Sequence, residues 1–307
     1  HQHRLVSEDI GFSLAPRINA AGRLGQARLA VELLTTSDPQ RALQLAEYVD
    51  QLNRNRQTVE RRMFKQAKEL ITEHGWDDQA ALVLAHPEWH PGVIGIVAGR
   101  VAEQFGKPAV LIALDEATGC GQGSGRSYAG YDLYSALATS SGRLVAFGGH
   151  RAAAGLRIQR GEIDSFREEF ASVVAENAHD AADSLELDVD AEVQLADLTI
   201  KSVLDLERLG PFGCEHPRPV FATSRVDLAG QPQTMGEGGH HLALRVRQGS
   251  TTLRAVAFGR GDWAEEIASA GGPISICYKT TINRYQGRES VELHLIDWQP
   301  ETATAPA

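Results

Sequence analysis

Two short stretches bring together residue types that bind anions. Gly123-Ser124-Gly125-Arg126-Ser127 sets two hydroxyls and a guanidinium among glycines, and Gly148-Gly149-His150-Arg151 runs into Ala152-Ala153-Ala154-Gly155. Glycine lets backbone approach a ligand closely, successive N–H groups of a tight turn form an anion nest, and arginine offers phosphate a two-pronged fork. Together they describe two walls of a phosphate-binding site. Taken singly, the first also fits a tight turn with an exposed arginine, and the second an ordinary loop carrying a histidine. Neither is a dinucleotide fingerprint or a P-loop, because no ribose-binding acid follows and no Gly-Lys-Ser/Thr closes the turn.

Trp89-His90-Pro91-Gly92-Val93-Ile94-Gly95 falls at an expected strand-to-helix junction, where helix N-termini attract anions. Trp89 fits equally well in a core. Further on, Arg245, Arg247, Arg254, Lys279, Arg284 and Arg288 interleave with Phe258, Tyr278 and Tyr285. Cations beside aromatic platforms suit single-stranded nucleic acid, and basic residues alternating on a solvent-facing strand are the plainer alternative. Metal chemistry finds little support. Asp188-Val189-Asp190 and His240-His241 are isolated, no His-Glu-x-x-His occurs, and no metal ligand is assigned to the chain.

These residues need elements to hold them. Asp38-Pro39 reads as an N-cap followed by proline at the first helical position. Apolar residues then recur every three or four positions from Leu45 to Leu70, and Gly75 is a stop. The spacing predicts one helix of about ten turns, with an interruption possible at the polar run Asn53-Arg54-Asn55-Arg56, and its length suits a bridge between two domains. From 80 to 158 the pattern is α/β: a strand over 80–85, a helix over 92–105 and a strand over 109–114 form a βαβ unit with parallel strands. The glycine-rich turn follows, then a helix over 131–140, a strand near 156–158 and a helix over 161–178. Beyond 185 the period is two, with strands over 185–193, 219–228, 241–248, 251–258, 273–282 and 290–298. A short helix over 262–270 before the last hairpin suits a small OB-type barrel, with an SH3-like barrel or a sandwich left open.

The chain has 307 residues, 42% apolar and 23% charged, as expected of a globular protein of two domains. Its net charge of −10 would disfavour nucleic acid, but residues 161–216 carry fifteen acidic side chains against three basic ones. The remainder is close to neutral, and local fields decide what binds. Cys120, Cys214 and Cys277 stand far apart, which excludes a disulfide framework and fits a reducing cytoplasm. No apolar run reaches membrane-spanning length, so no membrane partner is expected. The start at His1-Gln2-His3 reads as part of a longer polypeptide.

In order along the chain, these segments resemble the RecJ single-strand-specific 5′→3′ exonucleases of the DHH phosphoesterase superfamily. Phe12-Ser13-Leu14-Ala15-Pro16-Arg17-Ile18-Asn19-Ala20-Ala21-Gly22-Arg23-Leu24 is similar to the segment closing that family's catalytic domain. Asn53 to Gln57 with Glu60 resembles its connecting helix, and Trp89 to Gly99 with both glycine-rich stretches its DHHA1 domain. Leu209-Gly210-Pro211-Phe212-Gly213 through Phe221 resembles the entry to its OB domain, and Asn283 to Ser290 the last hairpin. Glu215-His216-Pro217 departs from the pattern, since the family commonly carries Asn before that proline.

The resemblance implies an α/β plus β architecture. A remnant of the DHH domain (1–37) is joined by a long helix (38–75) to a DHHA1 domain (76–180). An OB-fold-like β-barrel (185–300) and a tail (301–307) follow. It also implies that Ser124, Gly125, Arg126 and Ser127 hold a 5′-phosphate, with His150 catalytic beside the scissile nucleotide. Arg17, Asn19, Gly148, Gly149, Arg284, Tyr285 and Arg288 would touch DNA. Mn²⁺ or Mg²⁺ would be held by an N-terminal domain, because the Asp-His-His motif is missing here. The fragment alone is therefore expected to be inactive. Implied partners are single-stranded DNA, with single-stranded-DNA-binding protein and a RecQ-type helicase as possible others. Two alternatives stand beside this reading: a phosphodiesterase of short oligonucleotides or cyclic dinucleotides, and a non-catalytic single-stranded-DNA-binding module.

Overall fold

A computed structural model describes residues 7–177, 187–213 and 215–301, so Cys214, the start at His1-Gln2-His3 and most of the 301–307 tail lie outside the described residues. Two compact units emerge, one holding the described residues from Asp9 to Asn177 and the other those from Leu187 onward.

The first unit opens with helices α1 (Ala15–Arg23) and α2 (Ala27–Thr35), followed by the long α3 (Pro39–His74). Asp38 caps α3 by accepting from the backbone N–H groups of Gln40 (2.9 Å) and Arg41 (3.3 Å), and Gly75 ends it in the left-handed conformation at φ 64°. The helix passes without interruption through the polar run at 53–56. Asn53 is only 4% exposed and accepts from Arg56 at 3.1 Å. Arg56 also bonds Glu60 at 2.6 Å, and Glu60 accepts from Arg100 at 3.0 Å. Polar groups spaced three and four apart thus pair with one another along one helix face, with Arg56 Nε left without a partner among the described residues. The first half of α3 buries Val49 and Leu52 against Ala21 and Ala30. Its second half buries Met63, Ala67 and Ile71 in a different cluster, so the helix joins two cores.

That second core lies under a five-stranded sheet of order β1-β2-β3-β5-β4. The strands are β1 (Leu82–His86), β2 (Ala109–Asp115), β3 (Cys120–Arg126), β4 (Leu144–His150) and β5 (Ala153–Gln159). β1 and β2 are parallel, as a crossover through α4 (Ile94–Phe105) requires, and every other pairing is antiparallel. Leu82, Leu84 and Leu111 pack with α3 and α4 on one face. Val83, Val110, Ile112, Leu156 and Ile158 pack with α5 (Leu133–Thr139) and α6 (Ile163–Glu176) on the other. Trp89 is buried in the α3–α4 core and donates to Gln66 at 3.2 Å, so it is a packing residue.

In the second unit, the strand expected over 185–193 contracts to the two residues of β6 (Ala191–Glu192), with 185–186 outside the described residues. After α7 (Ile200–Glu207) come β7 (Phe221–Leu228), β8 (Gln233–Met235), β9 (His241–Gln248) and β10 (Thr251–Ala257). α8 (Trp263–Ser269) precedes the hairpin of β11 (Ile274–Tyr285) and β12 (Arg288–Pro300). Pairing runs β7-β11-β12-β10-β9, and a short β9–β7 contact at Leu228↔Val246 returns the series to its start. The ring encloses Leu244, Val246, Ile276, Tyr278 and Leu293, with Ile267 of α8 in the same core.

Candidate functional site

Gly123–Arg126 is strand, not turn. β3 lies between β2 and β5, with Ser124 opposite Leu111 and Gly155, and Arg126 opposite Ala109 and Ala153. Its backbone therefore pairs within the sheet rather than forming an anion nest. Strand alternation explains the glycines. A Cβ at Gly121, Gly123 or Gly125 would lie 2.5 Å from Ile112, 2.6 Å from Leu156 or 3.0 Å from Leu133, all in the core beneath α5 and α6. Gly125 thus contributes room and a carbonyl.

Ser124 and Arg126 project from the opposite face, toward α4. A Cβ at Gly95, in the first turn of that helix, would come within 2.7 Å of Arg126 Nη2 and 2.9 Å of Ser124 Oγ. Glycine there lets both side chains rest against the helix N-terminus. Arg126 Nη1 donates to Ser124 Oγ at 3.0 Å and to the Gly125 carbonyl at 2.7 Å. The guanidinium is half-buried and has no carboxylate partner among the described residues. Burial pushes its pKa down, and the positive charge of Arg23 acts in the same direction. A partly desolvated cation that faces a second cation is an electrostatic vacancy for an anion.

Sequence reasoning did not assign Arg23 a role. It ends α1, donates from Nη1 to the Gly92 carbonyl at 3.2 Å, and packs so closely that any Cβ on Gly92 would meet the Arg23 carbonyl. His90 shapes the same corner by accepting from the Gly92 N–H at 3.0 Å. Asn19, Arg23, Gly92, Gly95, Ser124 and Arg126 line one open cleft of about 600 Å³. A chain-distant contact between 23 and 92 leaves no local signal in sequence.

The other expected residues fall in different places. Ser127 donates to the carbonyls of Tyr131 (2.5 Å) and Tyr128 (3.4 Å), holding the turn into α5. Arg17 bonds Asp50 of α3 at 2.7 Å and the Ser13 carbonyl at 2.7 Å. That bond from Arg17, with help from Arg54, holds the Asp50 carboxyl below the usual carboxylate range. Gly148, Gly149 and His150 are exposed residues of strand β4 rather than of a turn. Across β5, His150 pairs with Ala153, which pairs with Arg126; Gly148 pairs with Gly155, which pairs with Ser124. Directly opposed residues of antiparallel strands share a face. His150 and Arg126 thus stand on one side of the sheet two strand spacings apart, ~10 Å, over a floor of alanine and glycine. Gly149 has φ 150°, and a Cβ there would strike the backbone of Ala153 and Ala154.

In the second unit, Tyr285 and Arg288 flank a two-residue turn in which Gln286 (φ 50°) and Gly287 (φ 76°) are both left-handed. Tyr285 is 70% exposed, and Arg284 pairs with Glu289 at 2.8 Å. Tyr278 is no stacking platform: it is buried inside the ring, shares a 2.7 Å hydrogen bond with Thr223, and burial pushes its pKa up to about 12. Arg254 pairs with Glu292, and Arg247 with Asp227 at 3.5 Å. Among the described residues no three His, Cys, Asp or Glu side chains converge to hold a metal ion. No described helix is long and apolar enough to cross a membrane.

Comparison with known proteins places both units in known domain families. Residues 78–176 match the DHHA1 domain, and residues 189–297 match the RecJ OB domain. The single-stranded-DNA-specific exonuclease RecJ of Bacillus subtilis is 34% identical over 94% of this chain and 36% of its own length. That of Escherichia coli is 32% identical over 94% of this chain and 51% of its own length. The crystal structure of Thermus thermophilus RecJ in complex with Mn²⁺ superposes with a TM-score of 0.78 at 29% identity, covering 98% of this chain and 43% of that one. The same protein has been solved with Mg²⁺, at a TM-score of 0.77. The chain spans about a third to a half of the length of these relatives.

Proposed function

This chain belongs to the RecJ family, of which it spans up to about half the length, and on that premise we propose that it is the substrate-holding part of a nuclease that digests single-stranded DNA from the 5′ end. The observation that carries the reading is Arg126: a half-buried guanidinium without a carboxylate, resting with Ser124 against the N-terminus of α4 and facing Arg23. A terminal phosphate, with its two negative charges, meets every requirement of that corner. The strand would then run over the floor of Ala153 and Gly155, which is too low to obstruct it. His150, on the far side of that floor, would reach the next phosphodiester and exchange a hydrogen bond or proton there. In the second unit, Arg288 and Tyr285 at the hairpin tip, with Arg284 behind them, suit the backbone and bases of a single strand.

Divalent ions would supply the hydrolytic chemistry, a reading supported by the Thermus structures in complex with Mg²⁺ and Mn²⁺. The described residues do not fit such ions, since no cluster of ligands is present. The metal chemistry is therefore assigned to the part of the relatives that this chain does not span. The chain alone would bind DNA weakly and not cut it; metal-dependent digestion by the purified chain would refute that. A phosphodiesterase of dinucleotides is disfavoured by the second unit, an OB domain with no purpose on so short a substrate.

Arg126→Ala in the full-length protein is the direct test. A charge-assisted bidentate contact to phosphate contributes roughly 1.5–3 kcal/mol. The variant should lose about ten- to hundredfold of its preference for 5′-phosphorylated over 5′-hydroxyl ends. An unchanged ratio would remove Arg126 from the role.

A further inference from the structure

The outward face of β9, β10, β12 and β11 carries an arrangement that neither the cleft of the first unit nor the β11–β12 hairpin tip uses. Phe258, immediately after β10, is 58% exposed, and its ring stands nearly perpendicular to two imidazoles. The centroid of His241 lies 5.5 Å away and that of His294 5.2 Å away, at interplanar angles of 71° and 87°. Both imidazoles are themselves fixed. His241 Nδ1 accepts from the Gly259 N–H at 2.9 Å, which leaves its proton on Nε2 as a donor. His294 Nε2 lies 3.4 Å from a carboxylate oxygen of Glu292, and the other oxygen accepts from Asn283 at 2.8 Å and from Arg254.

Glu292 is 7% exposed, and Arg254 satisfies its charge. The register then puts two more cations on this face. Arg245 is opposite Arg254, which is opposite Glu292; Lys279 is opposite His294, which is opposite Val256. Neither Arg245 nor Lys279 has a carboxylate partner among the described residues. The face is therefore net positive around one exposed aromatic ring held by its neighbours. A protein partner would want a contiguous apolar patch, and here one ring is set among polar groups. A nucleobase wants a fixed π-face with cations a phosphate's reach away.

We propose that Phe258, held between His241 and His294, is a nucleobase-stacking subsite on the second unit, with Arg245 and Lys279 taking the flanking phosphates. The proposal rests on the reading of the chain as a binder of single-stranded DNA and adds where on the OB domain a base is gripped. Stacking on a bare ring tolerates any base, so the subsite would hold the strand without selecting sequence.

The test compares two oligonucleotides of equal length, one of deoxythymidines and one abasic through its interior, binding without divalent metal to the full-length protein and to its Phe258→Ala and Phe258→Tyr variants. Phe258→Ala should weaken binding of the base-bearing strand about five- to hundredfold and leave the abasic strand unchanged. Phe258→Tyr should restore binding of the base-bearing strand. Phe258 is exposed, so a thermal melt should show both variants folded. Equal losses on both strands, or no loss on either, would overturn the stacking role while leaving the broader reading intact. Full-length wild type that binds neither strand would overturn the broader reading, and this subsite with it.

Discussion

Arg126 of β3 and His150 of β4 occupy one cross-sheet row with only Ala153 of β5 between them. The parallel row joins Ser124 to Gly148 across Gly155. Two sequence segments some twenty residues apart thus become the two sides of one shallow trough. Its depth depends on β5 carrying only Ala153 and Gly155 at these two rows, before Arg157 follows on the same face.

Gly155→Val tests the trough. A Cβ at Gly155 meets only the Gly123 carbonyl, at an ordinary 3.8 Å, and valine is a good strand residue. The variant should fold with an unchanged or slightly higher melting temperature. Its branched side chain would nevertheless stand where a strand must lie, weakening oligonucleotide binding by roughly tenfold or more, about 1.4 kcal/mol. Unimpaired binding by a folded variant would show that the strand runs elsewhere.

Gly95→Ala separates the anion corner from the fold. The added methyl would sit 2.7 Å from the end of the Arg126 side chain, which can swing away, and 2.9 Å from Ser124 Oγ, which can change rotamer. Alanine is also the better helix residue by up to ~1 kcal/mol. Stability should therefore hold while the guanidinium is displaced. We expect a melting temperature at or above that of the wild type together with loss of the preference for a 5′-phosphate. Retention of the full preference would argue that Arg126 need not lie against α4.

Much of this organisation is legible in the amino-acid sequence, because it follows from short-range rules. The cap at Asp38, the stop at Gly75 and the βαβ unit all obey local geometry. The strand at 120–126 escapes because its alternation is glycine against polar residues, not apolar against polar. The period of two is present in Gly121, Gly123 and Gly125, but the apolar side chains filling those gaps belong to Ile112, Leu156 and Leu133. The burial of Tyr278 is readable, since it is in phase with the inward Ile274 and Ile276. The place of Arg23 is not, because its meeting with Gly92 is a tertiary contact across sixty-nine residues.

Gly123→Ala should show that these glycines serve packing. Its Cβ would lie 2.6 Å from Leu156 Cδ1 and 2.7 Å from Cγ, inside a core with no slack. Overpacking of this kind costs about 1–3 kcal/mol. Leu156→Val alone should also destabilise, by removing buried carbon. Combining the two should cost less than their sum by ~1 kcal/mol, the coupling expected of residues competing for one volume. Chemical denaturation of the four proteins gives the cycle, and strict additivity would mean that the clash is relieved elsewhere.

Tyr278 gives the second unit an alkaline limit. Burial raises its pKa from about 10 in the unfolded chain to about 12 in the fold, because the ring interior cannot solvate a phenolate. A folded pKa above the unfolded one means that the neutral side chain stabilises the fold fully below pH ~10. That contribution is lost as the pH rises from about 10 through about 12. Tyr278→Phe removes the titration. Thr223 Oγ keeps its bond to the Val193 carbonyl at 2.8 Å, so the loss at neutral pH should be only about 1 kcal/mol. The wild type should start the more stable and lose its advantage as the pH climbs above 10, so that the two denaturation curves converge or cross before pH 12. Parallel curves across that range would mean that the phenol ionises as freely in the fold as outside it.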